Sequence, residues 1–457
     1  AQVSQVSLFL SFGMNLFDCL SEDALLGGLS SLDHLSLCRM QACNRLLLLG
    51  ARNQYVWQRL YLCERGRRFA TSVPTDWISA FRRLRPQWDD PFLSLNGAMQ
   101  WSVLAESASV PDSLGGQDPK LFDLGQARLL VLAGASFAER RGGINLRQAA
   151  DAYLLDLASL PNIAAWTSID IHGKPPPSLH GAYGNSIGDG VLADSVLMFA
   201  GGNHVDCHDV VSLLDLATLP TSATWHRLSP KKVPGPGPRY AGGSAIWGGS
   251  LLVLGGRSYG EFFGGDEIWV LQQPRQPDLV HWELFQPSGE GPSPRVWCSA
   301  LIVGDSLLVY GGALWTFDSS CWGNDNPGTI WRCDLVNLAW SRLDPRPSLG
   351  VAVPVPQARV GAITTLCGRH LFVFGGCDLE TRNYLSDAWA YEFGADGQWH
   401  ALASSNCSPG ARSHGVAIFP SSSAGRIGHS GIILFGGAQY FNGRYYRDVL
   451  QLNHASP

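Results

Sequence analysis

Short apolar runs that end in two glycines recur along the C-terminal part of the chain. The runs lie at 196–202, 251–256, 307–312, 371–376 and 432–437, with a weaker copy at 129–134. Their first glycines, from Gly201 to Gly436, are separated by 54, 56, 64 and 61 residues. A short apolar run bounded by turn residues is typical of a buried strand, so the pattern predicts one such strand in each repeat unit.

Three further sequence features recur in the same order around the glycine pairs. A second apolar run opening near a polar residue follows each glycine pair, at 151–156, 209–215, 266–271, 329–334, 387–391 and 448–452. A tryptophan follows at Trp166, Trp225, Trp282, Trp340 and Trp399. An arginine predicted to open a strand precedes the glycine pair at Arg239, Arg295, Arg359 and Arg412, with Ser178 at that place in the second unit. Each unit is therefore predicted to be a four-stranded sheet.

One four-stranded sheet cannot bury both of its faces alone, whereas sheets arranged radially pack on their neighbours. The phased tryptophans would fill the gaps between sheets, where a large flat side chain buries most area. The glycine pairs would end strands at a place too crowded for side chains.

These motifs resemble kelch repeats over about 350 residues of the chain. The resemblance implies a mainly β fold, a six-bladed kelch-type β-propeller over 100–457. The last unit stops after Leu452 and lacks its tryptophan strand. Residues 100–104, which include Trp101, have the look of that strand and are predicted to close the ring as the outer strand of the last blade.

The N-terminal segment 16–62 is leucine-rich and poor in proline, with spacings that suit short amphipathic helices. The order of residues from Leu20 to Leu32, followed by Leu35, Cys43-Asn44-Arg45 and Trp57, resembles an F-box. The resemblance implies a small all-α domain that binds a Skp-type adaptor and, through it, a cullin scaffold. The positions carried over for adaptor contact or the domain's core are Leu20, Leu25, Leu29, Leu32, Leu35 and Trp57. The alternative is a helical cap packed on the propeller.

The expected organisation is an extension at 1–15, the F-box-like domain at 16–62, a helical linker at 63–99 and the propeller at 100–457. Trp77, Phe81, Leu84 and Trp88 stand at helical spacing in the linker. Nine arginines between 45 and 85 fit solvated faces of linker helices better than a nucleic-acid or membrane patch.

Composition narrows the function classes. A net charge of −5 argues against a strongly basic nucleic-acid binder. The 11 cysteines are scattered without a CxxC pair, which favours reduced thiols and a cytoplasmic or nuclear protein. No apolar run approaches the roughly 20 residues of a membrane helix. Residues 3–16 are apolar but lack the basic start of a signal peptide.

Three short motifs suggest chemistry, and each has a simpler interpretation. Residues 184–188 match GxSxG but are expected to join two strands of the second blade, whereas a nucleophile elbow needs a strand-to-helix turn. His204, Asp206, Cys207 and His208 could ligate a metal, but no second cluster accompanies them. Residues 188–190 do not open a helix, so a dinucleotide site is unsupported. The sequence predicts no catalytic residue, metal or cofactor.

Loops after the glycine pairs should share one face with the segments that enter the arginine strands. The candidates for target binding on that face are His204, Arg257, Tyr259, Trp315, Glu380 and Tyr440, with Phe317 and Phe441 nearby. Exposed aromatics and arginines are the usual anchors of protein recognition. The alternative is that these side chains pack their own long loops.

Together these features predict a non-catalytic receptor: the substrate-recognition subunit of an SCF-type cullin-RING ubiquitin ligase, with an unknown protein target and neither nucleic acid nor membrane as partner. One alternative is a kelch scaffold without a ubiquitin role. Another is a kelch-fold enzyme, which would need a metal constellation that the sequence does not contain.

Overall fold

A computed structural model describes residues 99–454. The gaps lie at 107–109, 112–113, 126–127, 135, 141–142, 148–150, 158–164, 189–192, 203–205, 232–233, 316–319, 322–327, 344–353, 368–369, 394–396, 405–407 and 421–430. The predicted extension, the F-box-like domain and the linker up to residue 98 lie outside the described residues. Met99, predicted as the last residue of the helical linker, instead begins a strand. Within the described residues the chain is mainly β and contains no α-helix.

The strands form four sheets of four strands and one of eight, besides five two-stranded hairpins. The eight-stranded sheet consists of two four-stranded units joined at one edge, so the described residues form six blades. In five blades, neighbouring strands of the sheet follow one another in sequence. In the sixth blade, its three C-terminal strands are followed by the N-terminal strand. The four runs of each sequence unit therefore form one antiparallel sheet, as the repeat predicts.

The first three blades take up the N-terminal half of the propeller. Blade 1 comprises Gly115–Asp123, Arg128–Gly134, Ala152–Asp156 and Ala165–Gly173. Blade 2 comprises Tyr183–Gly188, Ala193–Phe199, Val211–Asp215 and Ser222–Leu228. Blade 3 comprises Gly243–Trp247, Ser250–Leu254, Ile268–Gln272 and His281–Phe285.

The remaining three blades complete the ring. Blade 4 comprises Ser299–Val303, Ser306–Tyr310, Ile330–Asp334 and Ala339–Leu343. Blade 5 comprises Ile363–Cys367, His370–Phe374, Ala388–Glu392 and Gln398–Ala401. Blade 6 comprises Val416–Ile418, Ile432–Phe435, Val449–His454 and Met99–Ala105.

Small hairpins connect the second and third strands of five blades. Their strands are Ser136–Arg140 with Gly143–Arg147, Arg257–Ser258 with Glu261–Phe262, Leu314–Trp315 with Ser320–Cys321, Cys377–Asp378 with Asn383–Tyr384, and Ala438–Gln439 with Arg444–Tyr445. A 3-10 turn, Tyr440–Asn442, lies in the last hairpin. In blade 2 the same place holds a single bridge between Gly202 and Cys207.

Met99–Ala105 is the outer strand of blade 6, although residues 106–448 separate it in sequence from its neighbour. It pairs antiparallel with Val449–His454, and Trp101 lies opposite Leu452. The Trp101 ring packs 5.1 Å from that of Phe374 in blade 5. The segment near Trp101 thus closes the ring.

Each of the six gaps between neighbouring blades holds one hydrophobic cluster, including the gap between blades 6 and 1. A phased tryptophan lies in every cluster, between its own blade and the preceding one: Trp101, Trp166, Trp225, Trp282, Trp340 and Trp399. Two of them also donate an indole N–H to the preceding blade, Trp340 to Gly265 O and Trp399 to Gly328 O, both at 2.7 Å. The periodic tryptophan therefore joins each blade to the one before it.

The glycine pairs stand where neighbouring blades meet. At the pair of blade 3, the Tyr183 hydroxyl of blade 2 donates to Gly255 O at 2.9 Å. A Cβ atom on Gly256 would lie 2.0 Å from that hydroxyl oxygen, and Gly256 has φ +90°. A side chain is excluded there by both contact and backbone conformation.

Two features differ from the sequence expectation. Ala165–Gly173 of blade 1 runs parallel to Ser222–Leu228 of blade 2, so the outer strands of these blades pair directly. The repeat arginines do not open strands: the first strands begin four residues after each arginine, at Gly243, Ser299, Ile363 and Val416. The cause is a residue with positive φ two positions after each arginine, where the backbone turns before the strand begins.

Candidate protein-interaction face

Segments entering the first strands meet the loops after the glycine pairs at one end of the propeller. Backbone bridges join Tyr240 to Arg257, Val296 to Ala313, Val360 to Cys377 and Ser413 to Ala438. We call this end, with the hairpins between second and third strands, the hairpin face. The opposite end, the turn face, has two-residue turns such as Gly248-Gly249, with φ +58° and +83°. The sharing of one face by these loops is as the sequence predicts.

The four repeat arginines lie beneath the hairpin face and are 1% exposed. Arg359 donates to both carboxylate oxygens of Asp387 at 2.8 and 2.9 Å. Arg412 does the same to Asp448 at 2.5 and 3.1 Å. Arg239 donates to Glu267 at 3.0 Å. Each of these acids directly precedes the third strand of its blade, so in blades 3, 5 and 6 a buried arginine pairs with a partly exposed acid and joins two loops of one blade.

The ion pair with Arg359 changes the pKa of the Asp387 carboxyl. Burial alone would raise the pKa of this group, but the hydrogen bonds and charge of Arg359 lower it. In blade 4 the position of the acid is Thr329, and Arg295 donates instead to Ser293 O and Gly311 O, both at 2.9 Å. The repeat arginines are thus satisfied internally by carboxylates or carbonyls.

A chain of backbone hydrogen bonds circles the axis just above these arginines. Its members, all with φ between +56° and +62°, are Gly181, Ala241, Trp297, Gly361 and His414. Each N–H from Ala241 onward donates to the carbonyl of the member in the preceding blade, over 2.6 to 3.0 Å. In blade 1 a side chain takes the place of the carbonyl, since Gly181 N–H donates to Asp118 Oδ2 at 3.2 Å.

Two bulky members of this chain lie at the axis, and their rings touch. Trp297 and His414 pack edge to face at 5.3 Å. His414 also packs against Tyr440, one of the predicted site residues, at 4.8 Å. Gly361 makes room for the imidazole, because a Cβ there would lie 2.5 Å from the His414 ring. Positive φ is uncommon for residues other than glycine and is most costly for a bulky one such as Trp297, so the surrounding contacts hold both residues in place.

Charged groups face this aromatic cluster from blades 1 and 2. Asp118 Oδ2 lies 3.5 Å from His180 Nε2, and His180 Nδ1 lies 2.8 Å from Gly202 O. Burial lowers the pKa of His414 to about 4, although the negative charge of Asp118 acts in the opposite direction. Burial would raise the pKa of Asp118, but neighbouring basic groups, His180 first among them, lower it. His414 is therefore neutral at pH 7.

The predicted target-binding residues other than Arg257 fall into three groups. Tyr259 is 65% exposed at the tip of the blade 3 hairpin, and Glu380 is exposed in that of blade 5. Tyr440 is half-buried against His414. His204 lies outside the described residues. Trp315 lies in the short strand Leu314–Trp315, and its side chain lies outside the described part of the structure.

The exposure expected for Arg257 is not found. Its side chain is 8% exposed, and its guanidinium lies 5.0 Å from the ring of Phe262 and 5.8 Å from that of Tyr240. Arg257 therefore packs its own hairpin, because the Tyr240–Arg257 bridge draws the residue inward. For this residue the alternative of loop packing describes the structure better than an exposed anchor.

Among the described residues, exposed aromatic side chains and exposed large aliphatic side chains lie in different parts of the propeller. The aromatic ones, Tyr259, Phe441 and Tyr445, all lie in hairpins of the hairpin face. The aliphatic ones, Val103, Leu279, Leu284 and Val336, lie on outer strands or on turn-face loops. Aromatic side chains are the usual anchors of protein interfaces, so this division favours the hairpin face as a binding surface.

Sequence reasoning missed part of this surface. Arg382, Arg444 and Tyr445 are exposed in the hairpins of blades 5 and 6 but were not among the predicted residues. The signal was the composition of 438–447, which holds four aromatic residues, two arginines and no acid. The adaptor candidates Leu20, Leu25, Leu29, Leu32, Leu35 and Trp57 lie outside the described residues.

The chemical motifs have structural explanations. Residues 184–188 lie inside the first strand of blade 2, Tyr183–Gly188, rather than between two strands, and Ser186 pairs with Val196 in the ladder. Of the histidine-rich loop, 203–205 lie outside the described part, and His208 Nε2 lies 3.5 Å from Asp206. Where the chain is described, no group of three or more His, Cys, Asp or Glu is placed to hold a metal ion.

A search for a helix long and apolar enough to cross a membrane finds none in the described part of the chain.

Comparison with known proteins bears on the propeller. A model of the KLHDC2/KLHL20/DRC7 Kelch-repeats domain matches residues 128–353 and 276–456. Kelch domain-containing protein 2 of Bos taurus is 27% identical over 244 residues, which cover 50% of this chain and 55% of the relative. Serine/threonine-protein phosphatase BSL2 of Arabidopsis thaliana is 30% identical over 178 residues, which cover 37% of this chain and 15% of the relative.

Host cell factor 1 of Homo sapiens is a third relative, 27% identical over 177 residues, which cover 33% of this chain and 8% of the relative. The chain thus spans about half the length of the bovine relative and far less of the other two. Kelch propellers of this kind are generally non-catalytic binding domains, and the repeats here indicate a protein-interaction propeller. Because the family model covers well over half of it, the chain belongs to the KLHDC2/KLHL20/DRC7 Kelch-repeats domain family.

Proposed function

We propose that the chain is the substrate-recognition subunit of an SCF-type cullin-RING ubiquitin ligase. The propeller receives a target protein on its hairpin face. The F-box-like segment 16–62 binds a Skp-type adaptor, which links the chain to a cullin scaffold. The place of action is the cytoplasm, the nucleus or both, and the chain needs no cofactor, nucleic acid or membrane for this role.

One observation carries the target-binding half of the proposal. Exposed aromatic side chains lie on the hairpin face, whereas the exposed aliphatic ones lie elsewhere. The repeat arginines beneath that face are engaged in ion pairs or carbonyl contacts, so recognition falls to the hairpins that differ from blade to blade. Variable loops on a rigid scaffold are the usual carriers of specificity.

The ubiquitin half rests on the order of leucines in 16–62, because the family match begins only at residue 128. That leaves one competing function, a kelch scaffold that binds its partner without an adaptor. The two functions share the hairpin face and differ only at the N-terminal segment. Binding to the adaptor therefore distinguishes them.

The deciding experiment is co-purification of the full chain with a Skp-type adaptor. Leu29→Asp with Leu32→Asp should abolish the interaction, since a charge at a desolvated contact costs at least about 2 kcal/mol. The matched control is Leu279→Asp with Val336→Asp, which places the same charges on exposed turn-face residues. Undiminished recovery of adaptor with the N-terminal double variant, or no recovery with the unmodified chain, favours the scaffold.

A further inference from the structure

The hairpins of blades 5 and 6 together form a compact surface of arginine and aromatic side chains. We call it the blade 5–6 patch and define it by Arg382, Tyr384, Phe441, Arg444 and Tyr445. Arg382 and Arg444 are exposed, and Phe441 and Tyr445 are 49% and 39% exposed. Tyr384 lies partly buried between the hairpins. The patch thus combines accessible cations with accessible aromatic rings.

Contacts between the two hairpins hold the patch in shape. The Tyr384 hydroxyl of blade 5 accepts the N–H of Phe441 in blade 6 at 3.0 Å, and the two rings are 6.0 Å apart. The Arg382 guanidinium lies 5.4 Å from the centre of the Phe441 ring. A surface already held by its own contacts loses little entropy when a partner binds.

The blade 6 hairpin is also fixed to the core of its blade. Asn442 donates to Gln439 Oε1 at 2.9 Å, and Gln439 donates to the Tyr446 hydroxyl at 3.0 Å. Two guanidinium groups lie near the Tyr446 ring, that of buried Arg412 at 3.8 Å and that of exposed Arg444 at 5.0 Å from its centre. The same tyrosine therefore connects the buried ion pair of the blade with the exposed patch.

Charge distinguishes the patch from the rest of the chain. Residues 438–447 contain two arginines and no acid, in a protein of net charge −5. Asp448, which follows directly, is bound to Arg412. In the blade 5 hairpin, Asp378 accepts hydrogen bonds from Glu380 N–H at 2.9 Å and Thr381 Oγ1 at 2.8 Å. Glu380 is the exposed acid that borders the patch.

We propose that the blade 5–6 patch binds an extended acidic segment of the target protein, in which carboxylate side chains flank an apolar or aromatic residue. The planar forks of Arg382 and Arg444 fit carboxylates in a bidentate manner. Phe441 and Tyr445 supply the apolar contact. The inference rests on the proposed function, because it names the kind of segment that the hairpin face receives.

An acidic protein segment fits the surface better than a nucleic acid. Nucleic-acid binding depends on neutralising many phosphates, and the patch offers only two exposed arginines on an overall negative chain. The mixture of few charges with several aromatic side chains is instead the composition of a protein-binding hot spot.

The test uses the full chain and a phage-displayed library of random dodecapeptides. Enriched sequences are expected to combine Asp or Glu with an aromatic or large aliphatic residue. A fluorescein-labelled peptide of the enriched sequence then gives the affinity by fluorescence anisotropy. Arg382→Glu with Arg444→Glu should weaken binding at least about tenfold, and Arg382→Lys with Arg444→Lys should weaken it less, because lysine keeps the charge and loses the fork.

The matched control is Lys174→Glu with Arg227→Glu, which makes the same change of charge on exposed residues of blades 1 and 2. It should leave the affinity within about twofold, and thermal unfolding should show that all variants remain folded. Neutral or basic enriched peptides, no enrichment at all, or equal affinity in the patch and control variants would overturn the proposal. Tighter binding of a labelled oligo-dT that is lost in the patch variant would assign the surface to nucleic acid instead.

This measurement contains no adaptor and no cullin. A chain that fails to bind the adaptor can still select acidic peptides, in which case the patch stands and the ligase role falls. A chain that binds the adaptor but selects no acidic peptide retains the ligase role and loses the patch.

Discussion

Two sets of arginines lie at the same end of the propeller and have opposite surroundings. Arg239, Arg295, Arg359 and Arg412 recur with the repeat and are 1% exposed. Arg382 and Arg444 follow no period and are exposed in two hairpins. The periodic arginines join loops within blades, and the non-periodic ones face outward. In this chain, the residues that identify the repeat build the scaffold, and the residues that differ between blades are available for binding.

The aromatic residues show the same division. The phased tryptophans fill the gaps between blades, whereas Tyr259, Phe441 and Tyr445 belong to hairpins of different length and sequence. Tyr446 contacts both sets of arginines, since its ring lies near the guanidinium groups of buried Arg412 and exposed Arg444. Substitutions in the periodic set should thus change stability, and substitutions in the exposed set should change binding.

The largest effect is expected from removing the closing strand. Deleting 1–106 removes Met99–Ala105, exposes the edge of Val449–His454 and opens the cluster around Trp101. The free energy of unfolding should fall by at least about 5 kcal/mol, because truncating one buried aromatic residue already costs about 3 to 5 kcal/mol. Deleting only 1–62 should change it far less. Thermal unfolding of both truncations gives the answer, and equal melting temperatures would contradict closure by this strand.

Arg412→Ala should cause the next largest loss in the free energy of unfolding. It leaves the Asp448 carboxylate, whose side chain is 20% exposed, without the guanidinium that pairs with it. Breaking a buried pair costs about 3 to 5 kcal/mol, whereas Arg382→Ala at the surface should stay within about 0.5 kcal/mol. Urea unfolding followed by tryptophan fluorescence measures both. Similar values for the two variants would remove the distinction between the arginine sets.

Much of the scaffold could be predicted from the sequence, because its residues recur at a fixed phase. The tryptophan positions indicated the gaps between blades, and the missing strand after Leu452 indicated that Trp101 completes the last blade. The chain of left-handed residues could not be predicted, since Trp297 and His414 are unusual residues for positive φ. Nor could the parallel pairing of Ala165–Gly173 with Ser222–Leu228, which lies outside the repeat pattern.

The candidate site was predictable in place and less so in detail. The position after a glycine pair indicated the correct face for Tyr259, Glu380 and Tyr440, because the strand direction fixes the end at which a loop lies. It could not indicate exposure, which depends on the fold of each hairpin. Arg257 turns inward through its bridge to Tyr240, and Tyr384 supports Phe441 from a neighbouring blade.

The aromatic cluster of Trp297, His414 and Tyr440 should make the free energy of unfolding depend on pH, with an effect of intermediate size. The pKa of buried His414 is about 4, below the ordinary value of 6.5, so the unfolded chain binds a proton more readily. The free energy of unfolding should therefore be highest above pH 6.5. It should fall by about 2 to 3 kcal/mol as pH decreases towards 4, because the unfolded chain takes up the proton first. The titratable groups that face His414 are Asp118, His180 and Lys120.

His414→Asn tests this dependence, since asparagine tolerates the left-handed conformation and does not titrate. Unfolding free energies between pH 4 and 7 should vary less in this variant than in the unmodified chain. Parallel curves for the two proteins would show that His414 is not the group responsible.

The smallest effect on stability is expected from exposed hairpin residues. Its size shows whether their side chains are available for binding or hold the hairpins in place. Tyr259→Ser and Phe441→Ser should each change the free energy of unfolding by no more than about 0.5 kcal/mol, as Leu279→Ser on the turn face should. The reason is that 65% of Tyr259 and 49% of Phe441 are already exposed, so little packing is lost. The competing interpretation is that these rings hold their hairpins to the neighbouring blade, through the 3.4 Å contact of the Tyr259 hydroxyl with Cys207 O or the contact of Phe441 with Tyr384. A loss above about 1 kcal/mol in urea unfolding would support that interpretation, because a hot-spot residue is costly to remove only when the partner is bound.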